Sequence, residues 1–355
     1  MAYNMSALAE PDQNFEPERK KIPPVSKTIL ITGANGFVGS NLVDHFLARG
    51  DHVVGLDFVD SAEAMNLRDA LDQSSFEYAQ IDIRQADQLR ALAQRSIDLV
   101  YHLASIVGVR HYMKDPLSLI EVSVLGTRNI ITLCQETGAR LVFTSTSEIY
   151  GRNTNIPWRE DADRVLGATS VDRWSYSSSK AVCEHMLFAM RQSGDFPFSI
   201  IRFFNVYGPR QSPIYVVSQS IHRMLNGDAP FVYDGGRQTR CFTYIDDALQ
   251  ALEVIGEHDA AVGEVFNVGN STEHTIADTV ETILAAGGGS VEVEAIDTHE
   301  KYGAVYEDID RRVPDVSKIK ELLGWEAETS LREGVRRTID WANQNRYWLD
   351  ITVNE

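Results

Sequence analysis

The chain has 355 residues, and its 33 basic and 51 acidic side chains give a net charge of −18. This length suits one large domain or two lobes around a sizeable core. The surplus of negative charge would repel a phosphate backbone, so we expect no nucleic-acid partner. No stretch approaches the roughly 18 uninterrupted apolar residues that a membrane helix needs, so we also expect no membrane partner.

Cysteine usage and the N-terminal composition bear on the cellular compartment. The cysteines Cys134, Cys183 and Cys241 are odd in number, far apart and in no C-x-x-C spacing, which predicts neither a disulfide framework nor a metal site. Residues 1–26 are polar and lack the apolar core of a signal peptide, and we interpret them as a flexible N-terminal tail. Both features favour the cytoplasm.

Short apolar runs alternate with amphipathic, helix-like segments from residue 27 onward. Strands that are apolar on both faces and alternate with helices are typical of a parallel sheet covered on both sides. We therefore predict an α/β fold with a doubly wound parallel sheet over residues 27–205, to which 241–270 return. The runs are KTILITG (27–33), DHVVGLDF (51–58), IDLVYHLAS (97–105), ARLVFTSTS (139–147) and FSIIRFFNV (198–206).

After Asn205 the alternation loosens. The segment GPRQSP reads as a loop, SQSIHRMLNG as a helix, and TRCFTYIDDALQALEVI as a strand that runs into a helix. This pattern predicts a smaller lobe over residues 206–240 and 271–343, interleaved with the C-terminal end of the sheet. We interpret residues 344–355 as a C-terminal tail.

The first candidate site is the glycine-rich stretch TGANGFVGSNLVDHF. Gly33, Gly36 and Gly39 follow a predicted strand and open a predicted helix. A turn without side chains lets backbone N–H groups and the helix N-terminus approach a pyrophosphate. The G-x-x-G-x-x-G spacing is one residue longer than the usual dinucleotide fingerprint, and a plain tight turn between strand and helix is the alternative.

Two aspartates extend this candidate site. Asp57 ends the second apolar run, 24 positions after Gly33. A carboxylate there can accept both ribose hydroxyls of NAD and would repel the extra phosphate of NADP, so we predict NAD as the cofactor. Asp82 ends another short apolar run and could face the adenine, or it could be a solvated loop residue.

The second candidate site is the stretch RWSYSSSK. Tyr176 and Lys180 are four residues apart, so they share one face of a predicted helix. An ammonium near a phenol favours the phenolate, which would make Tyr176 a usable base. A surface pair is the alternative, but Thr146, at the end of the hydroxyl-rich strand TSTSEIYG, could complete a set that deprotonates an alcohol while NAD takes the hydride. A helix cap also explains these hydroxyls.

Over about residues 27–343 the chain resembles the extended short-chain dehydrogenase/reductases that act on nucleotide sugars, in Gly33, Gly36, Gly39, Asp57, Thr146, Tyr176 and Lys180. Within that family it is most similar to UDP-glucuronic acid decarboxylases, in the motifs TSEIYG, RWSYSSSK, FNVYGPR, DGGRQTRCFTYIDD and YEDIDRRVPD. The resemblance implies a Rossmann domain, a small C-terminal substrate-binding lobe, a tightly held NAD that is reduced and reoxidised in one turnover, a nucleotide-sugar substrate and a homodimer.

The resemblance also implies roles for individual residues. Tyr176, Lys180 and Thr146 would oxidise the sugar C4 hydroxyl. Glu148 would be an acid/base carboxylate for decarboxylation, and Arg312 a cationic proton donor or carboxylate anchor. A structural Glu148 and a surface Arg312 are the alternatives. Further expected cofactor contacts are Phe37, Val38, Ile83, Leu103, Ala104 and Ser105, and the expected substrate contacts are Tyr112, Thr146, Ser147, Arg173, Asn205, Arg240 and Tyr306.

Three other functions stay open at this point. A nucleotide-sugar 4-epimerase needs only the tyrosine, lysine and threonine of the oxidation set. A 4,6-dehydratase carries an aspartate where this chain has Ser147, which disfavours dehydration. The segment GPRQSPIYVVSQSI is shorter than its decarboxylase counterparts, which leaves the nucleotide base undetermined. A non-catalytic NAD-binding regulatory protein is the alternative from another class.

Overall fold

A seven-stranded sheet forms the centre of the structure. The computed structural model describes residues 26–108, 114–194, 196–288, 292–297 and 309–353. All neighbouring strands of the sheet run parallel, which confirms the predicted doubly wound α/β fold. In spatial order the strands are β11 (Val265–Val268), β6 (Phe198–Phe203), β5 (Arg140–Thr146), β4 (Leu99–His102), β1 (Thr28–Thr32), β2 (His52–Asp57) and β3 (Phe76–Gln80).

Helices cover both faces of this sheet. Successive side chains of a strand point to opposite faces, so Ile29 and Ile31 belong to one buried cluster and Leu30 to another. The first cluster includes residues of α1 (Phe37–Arg49) and α6 (Ile245–Glu257). The second includes residues of α2 (Ala86–Arg90), α3 (Pro116–Thr137) and α4 (Arg173–Ser193).

The remaining elements form smaller sheets and helices after β6. A three-stranded sheet has β9 (Thr239–Cys241) at its centre, antiparallel to β12 (Glu273–Thr275) and parallel to β14 (Arg311–Arg312). The two other small sheets pair β7 (Val206–Tyr207) with β10 (Thr243–Tyr244), and β8 (Phe231–Tyr233) with β13 (Glu294–Ile296). The helices are α5 (Val216–Leu225), α7 (Ile276–Gly287), α8 (Ser317–Leu323), α9 (Leu331–Gln344) and α10 (Arg346–Leu349).

The predicted C-terminal tail is packed as far as Leu349. Residues Arg346–Leu349 form α10, and the Trp348 side chain is only 1% exposed. Its indole Nε1 donates to the Gln211 carbonyl at 2.8 Å. Burying a large aromatic ring stabilises this segment against the rest of the core.

Helix α3 is the one element among the described residues that is long and apolar enough to cross a membrane by length and composition. Of its most apolar 18-residue window, 44% is buried in the structure, where Ile130 and Ile131 join the core beneath the sheet. A core helix of a globular protein passes the same test, so this feature alone does not indicate a membrane protein.

The order of the strands determines where a ligand can bind. From β1 the chain proceeds outward through β2 and β3, and it then returns to the other side of β1 with β4. In open α/β sheets, ligands bind in the crevice at the carboxyl ends of the strands where the order reverses. Gly33 follows β1 and Leu103 follows β4, so both lie at this point.

Candidate active site

The glycine-rich loop is shaped by close backbone contacts. Gly33 has φ +71°, and a Cβ atom there would lie 2.9 Å from the Cα atom of Ala104. A Cβ atom on Gly39 would collide with the Gly33 carbonyl oxygen, to which the Gly36 amide donates at 3.0 Å. Helix α1 begins at Phe37, directly after this turn. Only glycine therefore fits these positions, and the tight turn places backbone N–H groups at the helix N-terminus, where a pyrophosphate can bind.

Asp57 is fixed to the same loop. Its Oδ2 accepts from the Asn35 amide at 2.9 Å, and its Oδ1 accepts from the Phe58 amide at 2.9 Å. Burial raises the pKa of this carboxyl, while the amide hydrogen bonds oppose the shift. The residues present fit a dinucleotide: a glycine cradle for the phosphates and, beside it, a carboxylate for the ribose.

The other predicted cofactor residues fall into two groups. The Thr32 hydroxyl accepts from the Leu103 and Ala104 amides at 3.2 and 3.1 Å, which holds the end of β4 against the loop. Phe37 and Val38 pack on the core at the start of α1. By contrast, Asp82 pairs with Arg84 at 2.7 Å and Ile83 is buried in the core. The adenine contact of Asp82 and the cofactor contact of Ile83 stay predictions.

The structure brings Tyr176 and Lys180 of α4 together with Thr146 at the carboxyl end of β5. The hydroxyls of Thr146 and Ser105 are close enough to the Tyr176 phenol to lower its pKa. The Lys180 Nζ atom lies 6.0 Å from the centre of the Tyr176 ring and donates to the Thr144 carbonyl at 2.8 Å. Both side chains are buried, so the surface-pair alternative is wrong.

The electrostatics of this set correct one expectation. We expected Lys180 to lower the pKa of Tyr176. Burial instead raises the pKa of the phenol, and the Glu148 carboxylate raises it further, against the lowering effect of the Ser105 and Thr146 hydroxyls. Burial also lowers the pKa of Lys180 to about 8. The phenol therefore keeps its proton in the free protein.

Glu148 lies among arginines. Its Oε1 is 2.9 Å from the Arg312 Nη1 atom and 3.5 Å from the Arg173 Nη2 atom. Burial raises the pKa of Glu148, but the charges of Arg312 and Arg173 outweigh it, so the pKa lies below its ordinary value and the group is ionised at neutral pH. Arg312 is 7% exposed, so it is not a surface charge.

Secondary structure explains how these groups meet. The Thr146 hydroxyl accepts from the Glu148 amide at 3.1 Å and caps a 3₁₀ turn at Ser147–Tyr150, which turns the carboxylate into the site. Arg173 is the first residue of α4, and β14 places Arg312 beside Arg240 on β9. The cap explanation and the catalytic explanation of the hydroxyls are thus compatible.

Of the remaining predicted substrate residues, the structure describes Asn205, Ser147 and Arg240. Asn205 has φ +23°, and its buried Oδ1 has no hydrogen-bond partner in the described part of the chain. Ser147 is buried, and Arg240 donates to the Thr239 and Asp310 carbonyls at 2.8 and 3.2 Å. Tyr112 and Tyr306 lie outside the described residues.

Sequence reasoning missed two groups near this set. Burial and the Glu148 carboxylate raise the pKa of Tyr215 to about 12, and Tyr215 in turn raises the pKa of Tyr176. Tyr215 lies directly before α5 in the segment GPRQSPIYVVSQSI, and this position was the feature of the sequence that could have indicated it.

His102 lies between the Thr32 and Thr127 hydroxyls, and burial with the nearby Lys180 charge lowers its pKa to about 3. No signal in the sequence marked this histidine.

No group of three or more His, Cys, Asp or Glu side chains within the described ranges could hold a metal ion. The three cysteines are buried and unbridged.

Comparison with known proteins assigns the family. A family model described as GDP-mannose 4,6 dehydratase matches residues 30–338. The chain belongs to the NAD-dependent epimerase/dehydratase family. It is 35% identical to a UDP-N-acetyl-alpha-D-glucosaminuronate decarboxylase from Bacillus cytotoxicus, over 89% of this chain and 98% of that protein. It is 32% identical to UDP-glucuronic acid decarboxylase 1 from Xenopus tropicalis, over 95% of this chain and 79% of that protein.

Solved structures agree with this family. The chain superposes with a TM-score of 0.79 on UDP-glucuronic acid 4-epimerase from Bacillus cereus in complex with UDP-glucuronic acid and NAD. The two are 29% identical, and the superposition covers 89% of this chain and 99% of that one. The chain is therefore an enzyme with the fold and family of nucleotide-sugar decarboxylases and epimerases.

The depressed pKa of Glu148 predicts a pH-dependent contribution to stability. Ionised Glu148 stabilises the fold fully above the ordinary pKa of 4.5, and the contribution is lost as pH falls through the lower pKa of the folded state. Glu148→Gln should lower the free energy of unfolding by about 3 kcal/mol at pH 7, and by less at pH 4. Urea unfolding followed by tryptophan fluorescence measures this difference. The control is Glu136→Gln on the exposed side of α3; equal losses for Glu148→Gln at both pH values would contradict the assignment.

Proposed function

We propose that the protein is an NAD-dependent decarboxylase of a UDP-hexuronic acid, with UDP-glucuronic acid as the expected substrate. The observation that carries this proposal is the position of Glu148 with Arg312 and Arg173, next to the Tyr176 set. Inversion of a C4 hydroxyl requires Tyr176, Lys180 and Thr146 but no buried carboxylate held by arginines. The similarity to decarboxylases of two UDP-hexuronic acids supports the same reading.

The charge of the site suits an anionic sugar. Arg173, Arg240 and Arg312 all lower the pKa of Glu148, and all four side chains are less than a tenth exposed. Three guanidinium groups around one carboxylate leave an excess of positive charge. A carboxylate on the substrate would be attracted to it, although the whole chain is acidic.

The proposed chemistry follows from the groups present. Tyr176 would take the proton of the C4 hydroxyl, and NAD would supply the oxidation by accepting the C4 hydride and later returning it. The C6 carboxylate then lies β to a ketone, so the C5–C6 bond can break with its electrons delocalised onto the C4 oxygen as carbon dioxide leaves. The resulting enolate must take a proton at C5, and Arg312 is the candidate donor. Glu148, which is ionised, cannot donate that proton and would act by holding Arg312 in place at 2.9 Å.

The preferred cofactor is tested through Asp57. A carboxylate held against the loop should favour NAD over NADP by about ten- to a hundredfold in affinity, the range for charge-assisted hydrogen bonds. Asp57→Ser should remove most of that preference. Isothermal titration of both nucleotides into nucleotide-free protein measures it. Equal affinities in the wild-type protein would refute the role of Asp57.

The oxidation step is tested with Tyr176→Phe. This change removes the phenolic oxygen and keeps the ring, so NAD and UDP-sugar binding should persist while turnover falls by about 10²- to 10⁴-fold. Tyr207→Phe removes a hydroxyl that donates to the Leu331 carbonyl and is the control. Full activity of Tyr176→Phe would show that another group takes the proton.

The product separates decarboxylation from epimerisation. With NAD and UDP-glucuronic acid we expect loss of carbon dioxide and a UDP-pentose or UDP-4-keto-pentose, read by mass spectrometry. Glu148→Gln should leave substrate binding and NADH formation largely intact while carbon dioxide release collapses, and Arg312→Ala should also weaken substrate binding.

The same assay decides between the alternatives. An unchanged product mass with inverted C4 by NMR would establish a 4-epimerase. UDP-N-acetylglucosaminuronic acid is run in parallel because of the 35% identical relative. Turnover of that sugar alone would retain decarboxylation and change the substrate.

We further propose that the protein forms a homodimer through α3 and α4. The two helices pack together, yet Leu117, Ile120 and Leu125 on α3 and Val182 on α4 are between 40% and 65% exposed. A two-fold helical interface would bury these apolar side chains.

Light scattering at micromolar concentration should therefore give about twice the mass of one chain. Leu125→Glu should shift the protein toward monomer, because a charge on an apolar interface is desolvated without a partner. Leu322→Glu, at an exposed apolar position on α8, is the matched control. A monomeric wild-type protein would contradict the proposal.

A further inference from the structure

The C-terminal segment of residues 345–349 contacts the loop next to the glycine-rich turn through groups that the proposed reaction does not use. The Tyr347 hydroxyl donates to the Asn66 Oδ1 atom at 3.2 Å. The Asn66 Nδ2 atom donates to the Asn35 carbonyl at 2.9 Å, and the Asn35 Oδ1 atom accepts from the Asn66 amide at 3.2 Å. A continuous series of hydrogen bonds thus runs from α10 to Asn35.

Asn35 connects this series to the predicted cofactor groups. It lies between Gly33 and Gly36, and its amide donates to Asp57 at 2.9 Å. A change in the position of Asn35 therefore moves both the turn that faces the phosphates and the carboxylate that faces the ribose.

The Tyr347 hydroxyl and the Asn35 carbonyl hold the two ends of the Asn66 side chain. A carbonyl can only accept, so the Asn35 carbonyl takes the Nδ2 end of the carboxamide. The Tyr347 hydroxyl then donates to the remaining Oδ1 end. Without the hydroxyl, the Oδ1 atom loses this hydrogen bond and the Asn66 side chain keeps only one of its two supports.

A second contact holds the same loop to α10. The Arg68 Nη2 atom donates to the Asn345 Oδ1 atom at 2.7 Å, and the Arg68 guanidinium lies 4.4 Å from the centre of the Tyr347 ring. Trp348, which is buried, anchors α10 to the Gln211 carbonyl in the small lobe. The loop is therefore supported from the small lobe rather than from the sheet alone.

We propose that Tyr347 is a positioning residue for the cofactor: through Asn66 it holds Asn35, and thereby the glycine-rich turn and Asp57, in the shape that retains NAD. This inference rests on the proposed NAD cofactor and adds to it a part of the chain outside the loop that binds it. The C-terminal segment joins the loop at Asn66 to the segment at Gln211.

The test measures NAD affinity of nucleotide-free protein by isothermal titration, without any sugar. Tyr347→Phe keeps the ring over Arg68 and removes one hydroxyl, so NAD binding should weaken by about three- to tenfold. Tyr101→Phe removes a buried hydroxyl that donates to the Leu252 carbonyl, away from the loop, and is the control. It should leave NAD affinity unchanged.

A double-mutant cycle shows whether the effect passes through Asn66. Asn66→Ala should weaken NAD binding at least as much as Tyr347→Phe, and the double variant should bind no more weakly than Asn66→Ala alone. Additive effects, or wild-type affinity in Tyr347→Phe, would overturn the inference. A wild-type protein that fails to bind NAD would instead overturn the proposed cofactor, so the two failures are distinguishable.

Discussion

The buried Glu148 carboxylate is the interaction that joins the end of the large sheet to the three-stranded sheet of β9, β12 and β14. Taking a carboxylate out of water costs several kcal/mol, and opposite charges with good geometry must offset that cost. The 3₁₀ turn that carries Glu148 supplies no cation. One arginine comes from the start of α4, and the other, Arg312, comes from β14 in the small lobe. The small sheet therefore supplies, at the end of β5, the nearer of the two cations that pair with Glu148.

Parallel topology then places the oxidation set at the same edge. All strands of the large sheet end on one side, so Thr146 at the end of β5 and Ser105 after β4 both lie near enough to the Tyr176 phenol to lower its pKa. Helix α4 carries Arg173 at its first residue and Tyr176 one turn later, so a single helix contributes to both the charged and the oxidising parts of the site. Helix α4 therefore fixes the distance between the Glu148 and arginine cluster and the Tyr176 set.

The sequence predicted those features that depend on neighbours in the chain. The glycine spacing, Asp57 at a strand end and the i,i+4 pair Tyr176 and Lys180 are local patterns, and the structure places each where the pattern requires. Contacts between distant segments were not predictable. The bridge from Glu148 to Arg312 and the hydrogen bond from Tyr347 to Asn66 span 164 and 281 residues. Only the family resemblance indicated Arg312, and nothing indicated that the predicted tail would pack.

The pKa values around Tyr176 show why pattern alone misjudged the base. A lysine nearby does favour a phenolate, but burial disfavours the charged form of both groups. It raises the phenol pKa and lowers that of Lys180 to about 8. Glu148 and Tyr215 add to the rise. In the proposed reaction, the positive charge on the nicotinamide ring of bound NAD would favour the phenolate, so Tyr176 would act as a base once the cofactor is bound.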